Sequence, residues 1–216
     1  MIIMRLPMKH PVTRALFAGL FAASLTACSP SIAGSNPDTD TKTNTDTNTQ
    51  TEVKIDGEVR TLMIDADAAK KSEYHYFSFA EAKEVTVATP EDSTAWDLGF
   101  QALNTKLNGG IHGKGGVSIT RLADQDFDAL KQAPTATYLT DATVDSKTVY
   151  ALKENGSWYT YNSTTHVVSI NPNVVYVMKT TAGKYMKVQF LSYEDENGTS
   201  RMVTFKWAEI EAPKAE

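Results

Sequence analysis

The chain has 216 residues, a formal net charge of −5 and a single cysteine. One cysteine cannot close an internal disulfide, and an acidic chain lacks the basic surface that nucleic acid or anionic lipid requires, so both are excluded as electrostatic partners. The length allows one domain with a sizeable core once a polar N-terminal stretch is set aside.

At the N-terminus, Arg5, Lys9 and Arg14 surround the start of an apolar run over residues 15–23, which leads into Leu25-Thr26-Ala27-Cys28. The run is too short for a permanent membrane span. Basic residues, an apolar centre and small residues before a cut form the layout of an export signal. The stretch resembles the lipoprotein signal peptide, which implies that residues 1–27 are removed and that Cys28 becomes the acylated first residue. The alternative for Cys28 is a buried core thiol, because an unpaired cysteine behaves as a small hydrophobe. Cleavage removes three basic residues and no acidic one, taking the formal charge from −5 to −8. Acyl chains, not charge, would then hold the protein at a membrane. Ser29 after Cys28 resembles the outer-membrane sorting pattern of enterobacterial lipoproteins. The expected location is therefore the outer membrane, with the cell surface favoured and the leaflet left open.

Residues 28–52 follow as the lipidated cysteine and a tether rich in Thr, Asp and Asn. From Asn36 to Thr51 no side chain is aliphatic or aromatic, so the segment cannot bury enough surface to offset ordering entropy. As a flexible chain its reach is about 25–30 Å, enough to hold a folded body clear of lipid.

Residues 53–212 form the expected folded domain, with 213–216 as a tail. Two short helices are predicted, at 67–73 and at 124–130, the second capped by Asp124 or Asp126. Elsewhere β-branched and aromatic runs are broken by Gly, Asn and Pro. Asn155-Gly156 signals a hairpin pairing residues 148–153 with 157–162. Three runs near the C-terminus, 174–179, 184–193 and 201–209, are joined by Thr180-Thr181-Ala182-Gly183 and Asp195-Glu196-Asn197-Gly198. On the second run Met186, Val188 and Phe190 share a face opposite Lys187 and Gln189. On the third, Val203, Phe205 and Trp207 oppose Thr204 and Lys206, so one face is core and the other wet. The predicted fold class is all-β, mostly antiparallel meander or sandwich-like sheets with one or two short helices. No internal repeat is present.

Catalytic patterns are absent from this domain. His75, His112 and His166 match no hydrolase or metalloprotease spacing. The loop Gly109-Gly110-Ile111-His112-Gly113-Lys114-Gly115-Gly116 is one residue short of a nucleotide-binding loop and follows Lys114 with Gly. No enzyme is expected. Two other readings stay open: a structural or adhesive surface lipoprotein, and an envelope enzyme acting on glycan with Asp97 and Asp124 as nominal acid and base.

Trp96-Asp97-Leu98-Gly99-Phe100, then Thr105-Lys106-Leu107-Asn108-Gly109-Gly110 and Lys114-Gly115-Gly116, are similar to the central segment of the HmuY family of bacterial haem-binding lipoproteins. Asn171-Pro172-Asn173-Val174-Val175-Tyr176-Val177, the run from Gly183 through Tyr193, and Val203-Thr204-Phe205-Lys206-Trp207 resemble that family's ending in order and spacing. The resemblance spans residues 55–207. It implies an all-β domain tethered at a cell surface, with haem (iron protoporphyrin IX) as its cofactor. It also implies a TonB-dependent outer-membrane receptor as its partner in iron acquisition.

Haem requires an apolar slot, one or two axial ligands and donors at its rim. Trp158, Tyr159 and Tyr161 supply aromatic surface, and Lys114, Lys153, Lys179 or Arg201 are candidates to meet the propionates. The candidate axial ligands to the haem iron are His166, which the sequence favours, and His112. His166 lies in a polar break between strands, where function concentrates; His112 sits among glycines that let a flat ring approach the backbone. His75, alternating with aromatics along a strand, reads as a half-exposed sheet residue. The best-known member of the family uses two histidines closer together in sequence than His112 and His166. Residues 130–139, where its first would align, hold none. Tyr138, Met178, Met186 and Met202 are the remaining candidates for a second ligand. A coordinating imidazole must be neutral, so ferric haem affinity is expected to fall below about pH 6.

Overall fold

The computed structural model describes residues 53–56, 58–66, 73–154 and 156–214. The expected export signal, Cys28, the tether and residues 67–72 of the first predicted helix lie outside the described residues. Among the described residues, fourteen strands follow in chain order. β1 (Lys54–Asp56) and β2 (Val59–Asp65) come first, then β3 (His75–Ser78), β4 (Lys83–Val85), β5 (Leu98–Gln101), β6 (Asn104–Leu107) and β7 (Ser118–Ala123). Next are β8 (Ala142–Val144), β9 (Lys147–Val149), β10 (Tyr159–Asn162) and β11 (Val167–Ile170), and finally β12 (Val174–Lys179), β13 (Tyr185–Glu194) and β14 (Ser200–Ile210). A six-stranded sheet runs β1-β2-β14-β13-β12-β7 and a four-stranded sheet β4-β3-β5-β6, while β8-β9 and β10-β11 are separate two-stranded hairpins. Every strand pair is antiparallel. The all-β reading holds.

The two larger sheets share an aromatic core. Phe77 on β3 meets Phe205 and Trp207 on β14 edge-on, each at 5.1 Å between ring centres, and Phe100 on β5 stacks on Phe205 at 5.5 Å. These rings are buried, and each contributes both transfer free energy and a preferred ring geometry. The expected turns at 180–183 and 195–198 join β12 to β13 and β13 to β14. Gly183 and Gly198 each take a left-handed φ there, 75° and 76°, which a side chain would strain.

Three expectations fail. Residues 124–130 form turns, not a helix: Asp124 has a left-handed φ of 53°, and the Asp126 carboxylate accepts the Asp128 N–H at 2.8 Å. The segment is used to cover the second face of the six-stranded sheet. There Phe127 packs with Val175 and Ala208, and its carbonyl accepts from Lys187 Nζ at 2.6 Å. That face is therefore not wet as expected, and Lys187 is only 4% exposed. Burial pulls its ammonium below the usual lysine range, with Lys131 and Lys206 adding repulsion.

The hairpin expected around Asn155-Gly156 is also absent. β9 pairs instead with β8 through Asp145 and Ser146, both at positive φ of 48° and 64°, the geometry a two-residue hairpin turn needs. β10 pairs with β11. Between the hairpins, Ala151–Lys153 form a 3-10 turn drawn inward by two distant partners. The Ala151 N–H donates to Asp141 at 2.7 Å, and the Tyr176 hydroxyl donates to the Leu152 carbonyl at 3.1 Å. Trp158 follows, stacked on Phe190 of β13 at 4.5 Å.

Candidate functional site

The tryptophan, asparagine and glycines of residues 96–116 build a frame. Asp97, fully buried, accepts the Phe79 N–H at 2.8 Å through one oxygen, and the N–H and hydroxyl of Thr181 at 2.8 and 3.0 Å through the other. Burial raises its carboxyl above the usual range against the opposing pull of those donors. Asn108 donates to the carbonyls of Ser93 and Trp96, both at 2.8 Å, and accepts the Gly115 N–H at 3.0 Å. Around Gly110 and Gly113 this frame leaves no room for a side chain. A Cβ on Gly113 would stand 2.0 Å from the Asn108 amide oxygen, and one on Gly110 would stand 1.8 Å from the Asp141 carbonyl oxygen.

Within that loop His112 is fixed by a second buried carboxylate. Its Nδ1 lies 2.8 Å from Asp141 Oδ2. The same oxygen takes the Leu107 N–H at 2.8 Å, and Asp141 Oδ1 takes the Ala151 N–H at 2.7 Å. The Asp141 side chain is fully buried, whereas that of His112 keeps 20% of its surface exposed. The imidazole also stacks on Tyr150, with ring centres 5.5 Å apart and planes 22° from parallel. Among the described residues, its ring makes hydrogen bonds through Nδ1 only.

Polar and apolar groups flank this ring. The Tyr150 hydroxyl lies 3.3 Å from that of Tyr74. Lys106 sets its ammonium 4.0 Å from the Tyr74 ring centre and donates to the Tyr76 hydroxyl at 3.1 Å. Burial lowers the affinity of Lys106 and of Lys153 for their protons, and burial with the Tyr150 hydrogen bond raises the Tyr74 phenol. Beside His112 and Asp141 in the chain, Ile111, Leu139 and Val144 turn apolar side chains to solvent.

His166 closes the β10–β11 hairpin, as the sequence placed it. Its φ is 57°, and its Nδ1 lies 2.6 Å from the Tyr161 hydroxyl on the exposed strand. Tyr161 and Val167 add exposed apolar surface there. His112 and His166 thus stand on different elements, each with its own partner, and no hydrogen bond or ring contact joins them among the described residues. His75, half-buried, pairs with Glu84 at 2.6 Å and lines a groove of about 460 Å³ with Tyr74 and Tyr76.

Other candidates are committed elsewhere. Met178 is buried in the main core. Tyr138 donates to the Pro134 carbonyl, and burial pushes its phenol up to about 12, which disfavours a phenolate ligand. Lys114 pairs with Asp92, and Lys153 donates to Asn104 at 2.8 Å. Asp97, one of the nominal acid–base pair, has both oxygens engaged in the frame. Sequence reasoning missed Asp141, Tyr150 and Lys106. Asp141 stands in Thr140-Asp141-Ala142, with no motif to mark it.

The arrangement defines an all-β binding scaffold in which a glycine-tight loop presents one oriented imidazole. Residues 70–207 match the family described as HmuY protein, and the chain belongs to that family. Among solved structures, the chain is similar to the apo HmuY analog of Tannerella forsythia, with a TM-score of 0.55 and 14% identity, covering 76% of this chain and 99% of that one. It is also similar to a proposed HmuY-like heme-binding protein from Bacteroides vulgatus, with a TM-score of 0.51 and 16% identity, covering 70% and 91%. A proposed lipoprotein from Bacteroides fragilis matches with a TM-score of 0.51 and 16% identity, covering 71% and 91%. No curated protein matches the sequence.

Proposed function

We propose that this protein is a lipid-anchored haem-binding protein that captures haem at the outer membrane and passes it to a TonB-dependent receptor. The observation that carries the reading is the His112 imidazole, one-fifth exposed, stacked on Tyr150 and backed by a buried carboxylate, in a chain of the HmuY family. The residues fit the group. An imidazole with a nitrogen left to coordinate, apolar side chains open to solvent beside it and ammonium groups nearby meet the needs of an apolar disc carrying iron and two propionates.

When bound, haem supplies the iron centre that defines the cargo; the chain supplies the grip. His112 would hold the metal, with His166 as the second candidate ligand. Ile111 and Val144 would cover porphyrin edge, and Lys106 would offer positive charge at the rim. Lipidation at Cys28 and the tether at 28–52 keep the domain near a receptor while letting it search for cargo.

A haemin titration under oxidising and reducing conditions tests this reading. A new Soret band with quenched tryptophan emission is expected at one haemin per chain. An unchanged spectrum in both redox states overturns the reading and favours a structural or adhesive lipoprotein.

A further inference from the structure

We infer that Asp141 is the positioning residue of the iron-binding imidazole: it fixes His112 as the Nδ1–H tautomer and leaves Nε2 as the coordinating nitrogen. The inference rests on the haem reading above and adds to it which atom binds and what sets that choice.

The tautomer follows from the donors around the carboxylate. Asp141 receives two backbone N–H groups, from Leu107 and Ala151 at 2.8 and 2.7 Å, so its oxygens act as acceptors and the contact to His112 at 2.8 Å calls for a proton on Nδ1. A neutral imidazole then carries its lone pair on Nε2. Stacking on Tyr150 fixes the plane of the ring and so the direction of that lone pair.

The carboxylate is itself immobile. It is fully buried, and its two backbone partners come from the end of β6 and from the 3-10 turn. Gly110 lets the Asp141 main chain pass closely, and the Ile111 N–H donates to the Asp141 carbonyl at 3.1 Å. Side chain and main chain of one aspartate therefore hold both the imidazole and the loop bearing it. A metal-ligating histidine that donates its second ring nitrogen to a carboxylate is oriented and made more basic, which strengthens its bond to ferric iron. His166 faces the Tyr161 hydroxyl, a partner able to donate or accept, so nothing there selects one nitrogen.

The test joins three measurements. Ring nitrogen NMR of the apoprotein at about pH 8, where free imidazole is neutral, is expected to show protonated Nδ1 and bare Nε2 at His112. Protonated Nε2 overturns the inference. Asp141→Asn is expected to weaken ferric haemin binding about 10–100-fold and to raise the iron reduction potential of the complex. A folded variant with wild-type affinity and potential overturns it. If the variant fails to fold, because an amide cannot accept both backbone N–H groups, the apoprotein tautomer decides. His112→Ala is expected to change the spectrum of the complex, and bathing it with imidazole to restore it; haem bound with an unaltered spectrum removes the role of Asp141. A chain that ignores haemin yet shows the Nδ1–H tautomer fails the haem reading alone, and one that binds haemin with Nε2–H fails this inference alone.

Discussion

Asp97 and Thr181 lie 84 residues apart, and one carboxylate oxygen takes both the main-chain N–H and the hydroxyl of the threonine. With the Phe79 N–H on its other oxygen, Asp97 ties the turn after β3 to the β12–β13 hairpin. Asp97→Ala leaves the buried Phe79 N–H and the half-buried Thr181 N–H without partners, and each orphaned group costs about 1–3 kcal/mol. Urea unfolding is expected to show a loss of about 2–4 kcal/mol; a loss under about 0.5 kcal/mol would remove Asp97 from the frame.

The same carboxyl gives a pH dependence. Burial holds its folded proton affinity above the unfolded value, so the folded state binds the proton more tightly. The stability it contributes is complete below the unfolded pKa, about 3.9, and is lost as pH rises through the raised folded value. The stability of wild type relative to Asp97→Asn is therefore expected to be greater at about pH 4 than at about pH 7. Urea midpoints across that range check the sign, and the opposite slope overturns it.

Two glycines separate steric from conformational demands. Gly116 has a φ of 71° and open space where a Cβ would stand, while Gly110 combines a φ of 59° with a Cβ position 1.8 Å from the Asp141 carbonyl oxygen. Gly116→Ala is expected to lose about 1–2 kcal/mol from left-handed backbone strain alone. Gly110→Ala loses more and also weakens haemin binding, because it displaces the aspartate behind His112. Equal losses in the two variants would contradict the packing argument.

At the second hairpin, glycine is the informative replacement. His166 occupies a left-handed φ, so His166→Gly keeps the turn at ease while deleting the imidazole. Loss of this candidate ligand is expected to shift the Soret band of the haemin complex. An unaltered Soret band assigns the metal to His112 without His166.

Lys187 holds the cover over the second sheet face. Lys187→Met fills similar volume and removes a buried charge, so global stability is expected to change by no more than about 1–2 kcal/mol. The Phe127 carbonyl loses its donor, and limited proteolysis is expected to cut at 124–130 faster than in wild type. Equal cutting rates would show that Phe127 packing alone secures the segment.

The sequence made legible what local periodicity controls. Alternation in β13 and β14 gave the core face, and the glycines at 183 and 198 gave the turns. It misplaced what distant partners control. The 3-10 turn at 151–153 exists because Asp141 and Tyr176 reach it, which no window around Asn155-Gly156 contains. Phe127 looked like one apolar residue of a helix, but its destination is a sheet face formed by Val175 and Ala208. The family motif around Trp96-Asp97 and Asn108 turns out to be scaffold, its side chains consumed by main-chain bonds. The histidines were visible as residue types, but the carboxylate that distinguishes His112 from His166 was not, since its partners at 107, 112 and 151 are brought together only by the fold.

The β10–β11 hairpin belongs to neither large sheet, and Trp158, stacked on Phe190, roots it in the core. Its tip at 163–166 can therefore take insertions or replaced side chains as an exchangeable cassette, with the aromatic centre left untouched.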